Sequence, residues 1–123
     1  DRRQKVRAGM AAIAEYEQVL AEYLVRGLLT LPGVTIHGIT ADEAMPRRGP
    51  TVAFTHERHA PDDIARALAA ANIFAWSGHN YAVEVAKSLG IYETGGAVRV
   101  GPVHYNTIDE IDRLFEALKT ILN

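Results

Sequence analysis

The 123-residue sequence contains no cysteine. That absence excludes a disulfide framework, a zinc ribbon and any thiol nucleophile supplied by this chain. An excess of either charge is also lacking: 13 Lys+Arg stand against 15 Asp+Glu, a formal net charge of −2. Nucleic-acid and anionic-membrane surfaces usually demand a clustered basic excess, so no nucleic acid and no membrane is expected as a partner. No apolar run approaches the roughly 20 residues of a membrane span, and no signal-peptide core opens the chain. The default compartment is cytoplasmic. What the sequence does have is 48% apolar residues, enough for one domain that buries about two thirds of its extended surface without a covalent staple. It begins at Asp1 rather than Met and enters a helical pattern at once, which reads as a piece of something longer.

From Arg2 to Leu31 the residues Val6, Met10, Ile13, Leu20, Leu24, Leu28 and Leu31 recur at helical spacing, predicting one long amphipathic helix. Pro32-Gly33 stops it. Glu17 falls on the apolar stripe and Gly9 interrupts the first turns, so the N-terminal part is expected to pack outside this domain's own core. Val34–His37 and Thr51–Thr55 are short, β-branched and alternating, the mark of strands, with a polar loop around Pro46 between them. Ala60-Pro61-Asp62-Asp63 opens a second helix through about Ala71, with proline at a favoured first position and carboxylates at the positive end of the dipole. Ile73–Trp76 reads as a third strand, Tyr81–Leu89 as a short helix, and Ala97–Val100 as a fourth strand entered through Gly95-Gly96. Thr107-Ile108-Asp109-Glu110 is a capping box ahead of a final amphipathic helix carrying Ile111, Leu114, Phe115 and Leu118. The order predicts an α+β fold: a small, mostly antiparallel sheet covered on one face by helices, with a long N-terminal helix.

Three places exceed what a scaffold needs. Trp76-Ser77-Gly78-His79-Asn80-Tyr81 gathers polar and aromatic groups in a strand-to-helix turn, where they can converge on a ligand. The plainer reading is a turn capped by Ser77 or Asn80 with Trp76 packed beneath it. Arg99 interrupts an apolar strand, and alternation turns it away from Val98 and Val100, toward solvent or a cleft. A planar guanidinium is a natural clamp for a carboxylate, although solvated edge arginines are common. Pro102–Asn106 joins the fourth strand to the last helix, and Asn106 is equally able to prepare the cap. The five histidines lack metal-site spacing, so no metal is expected.

Read together, Gly33–Gly38, Pro50–Thr55, Asn72–Ala82 and Val98–Asp112 resemble the C-terminal small domain of class V aminotransferases, and more narrowly the cysteine desulfurase-like branch of these pyridoxal-phosphate enzymes. The strongest piece is the arginine strand followed by Tyr105-Asn106-Thr107 and the acidic helix start. The resemblance implies a fold type I homodimer. In it, residues 1–123 form the small domain, and the helix over 1–31 leads in from a large domain that holds most of the pyridoxal 5'-phosphate contacts. It also implies that Arg99 grips the carboxylate of an amino-acid substrate, with Trp76, His79 and Tyr81 beside it. The family lysine that bonds the cofactor has no counterpart in the contexts of Lys5, Lys87 or Lys119, so no catalytic residue is expected here. In the desulfurase loop Gly-His-x-Cys, this sequence reads Gly78-His79-Asn80-Tyr81, placing tyrosine where the family has its thiol. A phenol does not accept sulfane sulfur as a thiolate does. The family arginine ahead of that loop is replaced by Trp76. An alternative from a different class is a free-standing, non-catalytic α+β module that binds a ligand or self-associates through a Leu20/Leu24/Leu28 stripe.

Overall fold

The computed structural model describes residues 1–123, and its first element, α1, runs Arg2–Leu29. Asp1 and Gln4 close a reciprocal capping box at its start, satisfying amides that no earlier turn can reach. Thr30 caps its end, and Gly33 turns the chain at φ 76. The helix divides into two halves. Leu20, Ala21, Leu24, Val25 and Leu28 are buried, whereas Val6 and Met10 are 57% and 59% exposed. The Leu20/Leu24/Leu28 stripe is therefore core, and it is not available as the self-association surface of the free-standing alternative. Glu17, the acidic interruption of that stripe, accepts the His104 amide at 3.1 Å and lies 3.5 Å from its ring. It ties the loop before the last helix to α1, as does the Tyr16 hydroxyl donating to the Asn106 carbonyl at 2.7 Å.

Four strands, β1 (Val34–His37), β2 (Val52–His56), β3 (Trp76–Gly78) and β4 (Ala97–Val100), form one sheet in the order β1-β2-β4-β3, with every pairing antiparallel. The β1–β2 connection was expected as loop. It contains a 3-10 helix over Asp42–Arg47, which buries Met45 and whose carbonyl at that residue takes a hydrogen bond from Gln18. Three helices follow: α2 (Pro61–Ala70), α3 (Val83–Ser88) and α4 (Ile108–Ile121), the last with the expected Thr107/Glu110 capping box.

Two expectations are corrected. The third strand lies at Trp76–Gly78 rather than Ile73–Trp76. Carried backward from the Trp76–Arg99 pair, the register would set Ile73 against Pro102, which has no N–H to give a ladder. The short helix begins at Val83, not Tyr81, because Asn80 and Tyr81 take left-handed φ values of 51 and 63, which a right-handed helix does not admit.

Strand alternation sorts the sheet into two faces. Val52, Phe54, Val98 and Val100 point to the helices and are buried with Leu24, Leu28, Ile64, Leu68, Ile111 and Leu118. Gly27 lets α1 and α4 close, since a Cβ there would stand 2.0 Å from the Phe115 ring. The other face of the sheet has no helix over it.

Candidate functional site

The pairing register sets four residues in one row across the uncovered face: His37 opposite Ala53, Ala53 opposite Arg99, and Arg99 opposite Trp76. Each strand contributes one residue. In an antiparallel pair, residues directly opposite point to the same side, so the three pairs fix the row without reference to rotamers. Arg99 is the one exposed residue of an otherwise buried β4, and it takes part in none of the chain's ion pairs. Ala53 offers only a methyl on one side of it. Trp76 stands on the other side, 71% exposed. The indole is thus not the packed side chain that the plain reading of the turn required.

The fourth residue of the row, His37, is polar. His37 Nε2 lies 3.0 Å from the Thr55 hydroxyl, and partial burial pushes the imidazole below its ordinary pKa, favouring the neutral ring. The cation of the row is consequently Arg99. A guanidinium with its donors free, on a face that no helix covers, is fitted to receive a planar anion such as a carboxylate in a two-point contact.

Past β3 the chain makes a tight turn, held by its own polar groups. Asn80 donates to the Gly78 carbonyl at 3.1 Å, His79 Nδ1 accepts the Tyr81 amide at 3.2 Å, and Ala82 N–H donates to the His79 carbonyl at 2.8 Å. Gly96 is what permits this turn to sit against β4, because a Cβ there would come 2.2 Å from the Gly78 backbone. Tyr81 emerges fully exposed at φ 63, a backbone conformation that costs a bulky residue of order 1–3 kcal/mol. Neither Ser77 nor Asn80 caps α3, whose cap residue Ala82 has no side-chain bond. Ser77 instead points to the helix side, where its hydroxyl donates to Asp62 at 3.2 Å.

The structure therefore brings Arg99 and Trp76 side by side, while His79 and Tyr81 lie in the turn at the end of β3. His79 acts there as a brace for the backbone. Asn106 prepares the α4 cap, donating to Glu110 and accepting from the Val103 amide. His37 and Ala53 were not singled out from the sequence. Their signal was the alternation of β1 and β2, legible only once the two strands are paired. Two hollows lie away from the row. One of about 470 Å³ is lined by Phe74, Val103, Tyr105 and the start of α4, and one of about 320 Å³ by residues 55–61 with Ile91, Thr94 and Gly96.

Comparison with known proteins places this geometry. A cysteine desulfurase from Thermococcus onnurineus, solved in its apo form, matches with a TM-score of 0.84 at 28% identity, over 98% of this chain and 28% of that one. An aminotransferase-like protein of Gibberella zeae is 37% identical over 114 residues, 90% of this chain and 28% of that protein. A cysteine desulfurase of Enterobacter sp. is 32% identical over 113 residues, 92% of this chain and 26% of that protein. The fold is thus that of an α+β domain of the cysteine desulfurase type. Residues 5–114 match the aminotransferase class-V family model, and the chain belongs to that family. It spans between 18% and 28% of the length of the first curated relatives it matches.

Proposed function

We propose that this chain is the small domain of a pyridoxal-phosphate-dependent enzyme that transforms an amino acid, and that Arg99 holds the substrate carboxylate. The observation that carries the reading is the row His37–Ala53–Arg99–Trp76, with one unpaired cation at its centre on the uncovered sheet face. On this reading the open face closes over an active site whose cofactor sits in a larger domain of the same protein. The projecting half of α1 leads toward that domain, and the working enzyme is a cytoplasmic homodimer.

On this reading the lysine that bonds the cofactor comes from the larger domain. Lys5 is on the exposed half of α1, Lys87 is bonded to Glu84 on α3, and Lys119 is bonded to Glu116 on α4. None lies on a strand. The role left to this segment is binding and orientation: a guanidinium fixed on a rigid strand sets where the carboxylate end of the substrate rests. The cofactor, where such an enzyme holds it, supplies the electron sink. With no cysteine in the chain, sulfur transfer through a thiol of this domain is not part of the proposal. Elimination from a sulfur amino acid, which needs no enzyme thiol, is compatible with it.

The test is the visible spectrum of the full-length natural gene product, purified without added cofactor and then treated with borohydride. A yellow protein bleached by reduction is expected. A colourless protein that takes up no pyridoxal phosphate when it is supplied would contradict the reading.

A further inference from the structure

We propose that Trp76 sets the side-chain preference of the Arg99 clamp, favouring 2-amino acids with an aromatic side chain over small or acidic ones. The inference rests on the carboxylate-binding reading of Arg99. Register puts Trp76 directly across from Arg99, and such opposed residues have Cβ atoms about 4.5–5.5 Å apart on one face. On the far side of the arginine stands Ala53, too small to block an approaching ligand. A carboxylate fastened to the guanidinium therefore has open space above Ala53 and an indole at its flank.

The indole is free to serve. Trp76 is 71% exposed and belongs to no core contact. A large exposed aromatic on an edge strand is costly to leave in water, and an aromatic ligand side chain covers it in an offset stack. An acidic side chain gains nothing there. The row holds a single arginine, already engaged by the main carboxylate, and no lysine.

The experiment is calorimetric titration of the full-length natural protein with L-phenylalanine, L-alanine and L-aspartate, for wild type, Trp76→Ala, Trp76→Phe and Arg99→Ala. Wild type should bind phenylalanine about 10-fold more tightly than alanine, the scale of one aromatic pair with its apolar contact. Trp76→Ala should reduce that ratio to about 2-fold or less, and Trp76→Phe should retain most of it. Arg99→Ala should weaken all three ligands alike. No phenylalanine preference in wild type, or a preference that survives Trp76→Ala, would overturn the proposal for Trp76. Unchanged binding of every ligand in Arg99→Ala would instead overturn the carboxylate reading beneath it. Both side chains stand outside the core, so these substitutions leave folding intact, and Trp76→Phe checks that directly.

Discussion

Within β4, Val98 and Val100 face the helices and are buried to 0% and 6% exposure, while Arg99 between them is open to solvent. The same contrast runs across the whole sheet. The helix side carries Val52 and Phe54 and is closed by α1, α2 and α4; the other side carries half-buried His37 and Ala53 beside exposed Arg99 and Trp76. Burial of apolar surface drives folding at roughly 25 cal/mol per Å², so the first face explains why the chain folds. An indole and a guanidinium left in water contribute little to that. Their presence in one row is better explained by what the face meets than by what it stabilises.

That contrast can be broken or sharpened by substitution. The largest stability loss is expected on the closed face: Phe54→Ala should cost about 3–5 kcal/mol in denaturant unfolding, because a fully buried ring leaves a cavity. At the rim, Gly96→Ala should cost about 2 kcal/mol or more, combining φ 78 with the clash against Gly78. It should also loosen the 78–81 turn, seen as faster amide exchange at Ala82. Thr107→Ala removes the oxygen that accepts the Glu110 amide at 3.3 Å and should cost about 1 kcal/mol, read from the same unfolding curves. Trp76→Ala, on the open face, should change stability by less than about 0.5 kcal/mol. A loss comparable to that of Phe54→Ala would mean that the open face is structural after all.

Acid should act on both faces in the same direction. Asp62 is held below the ordinary carboxylate range chiefly by its hydrogen bond from Arg66, and Glu110 chiefly by its bond from Asn106. Each depressed folded-state pKa gives stability that is present above the unfolded value and lost as pH falls through the folded one. His37 follows the same sign, since burial lowers its pKa and acid must charge a ring the fold prefers neutral. Unfolding midpoints should therefore fall as pH drops below about 6.5 and fall again below about 4. A midpoint that rose between pH 7 and pH 5 would contradict these assignments.

Much of this was legible from the sequence because local signals and tertiary packing agree. The Pro61 start of α2, the capping box of α4 and the isolated Arg99 in β4 all stand where their patterns place them. Glu17 was visible as an anomaly on its stripe, although its partner, the His104 loop, could be found only in three dimensions. The errors have physical causes. Ile73–Ala75 has strand composition, but the register carried back from Trp76 would set Ile73 against Pro102, which gives no ladder. Tyr81 falls in a helical pattern but takes a left-handed backbone that no propensity reports. The row itself was invisible: His37, Ala53, Arg99 and Trp76 are far apart in sequence, and only the register makes them neighbours.

On the proposed function, the open face, through Arg99, serves binding and not folding. The most direct measurement compares the Arg99→Ala full-length protein with wild type, in kcat/KM for the amino-acid substrate proposed above and in unfolding midpoint on the same samples. A loss of about 2 kcal/mol in transition-state stabilisation, roughly 30-fold in kcat/KM, is expected, with the midpoint unchanged. An unaltered kcat/KM, or a loss matched by a fallen midpoint, would contradict that reading.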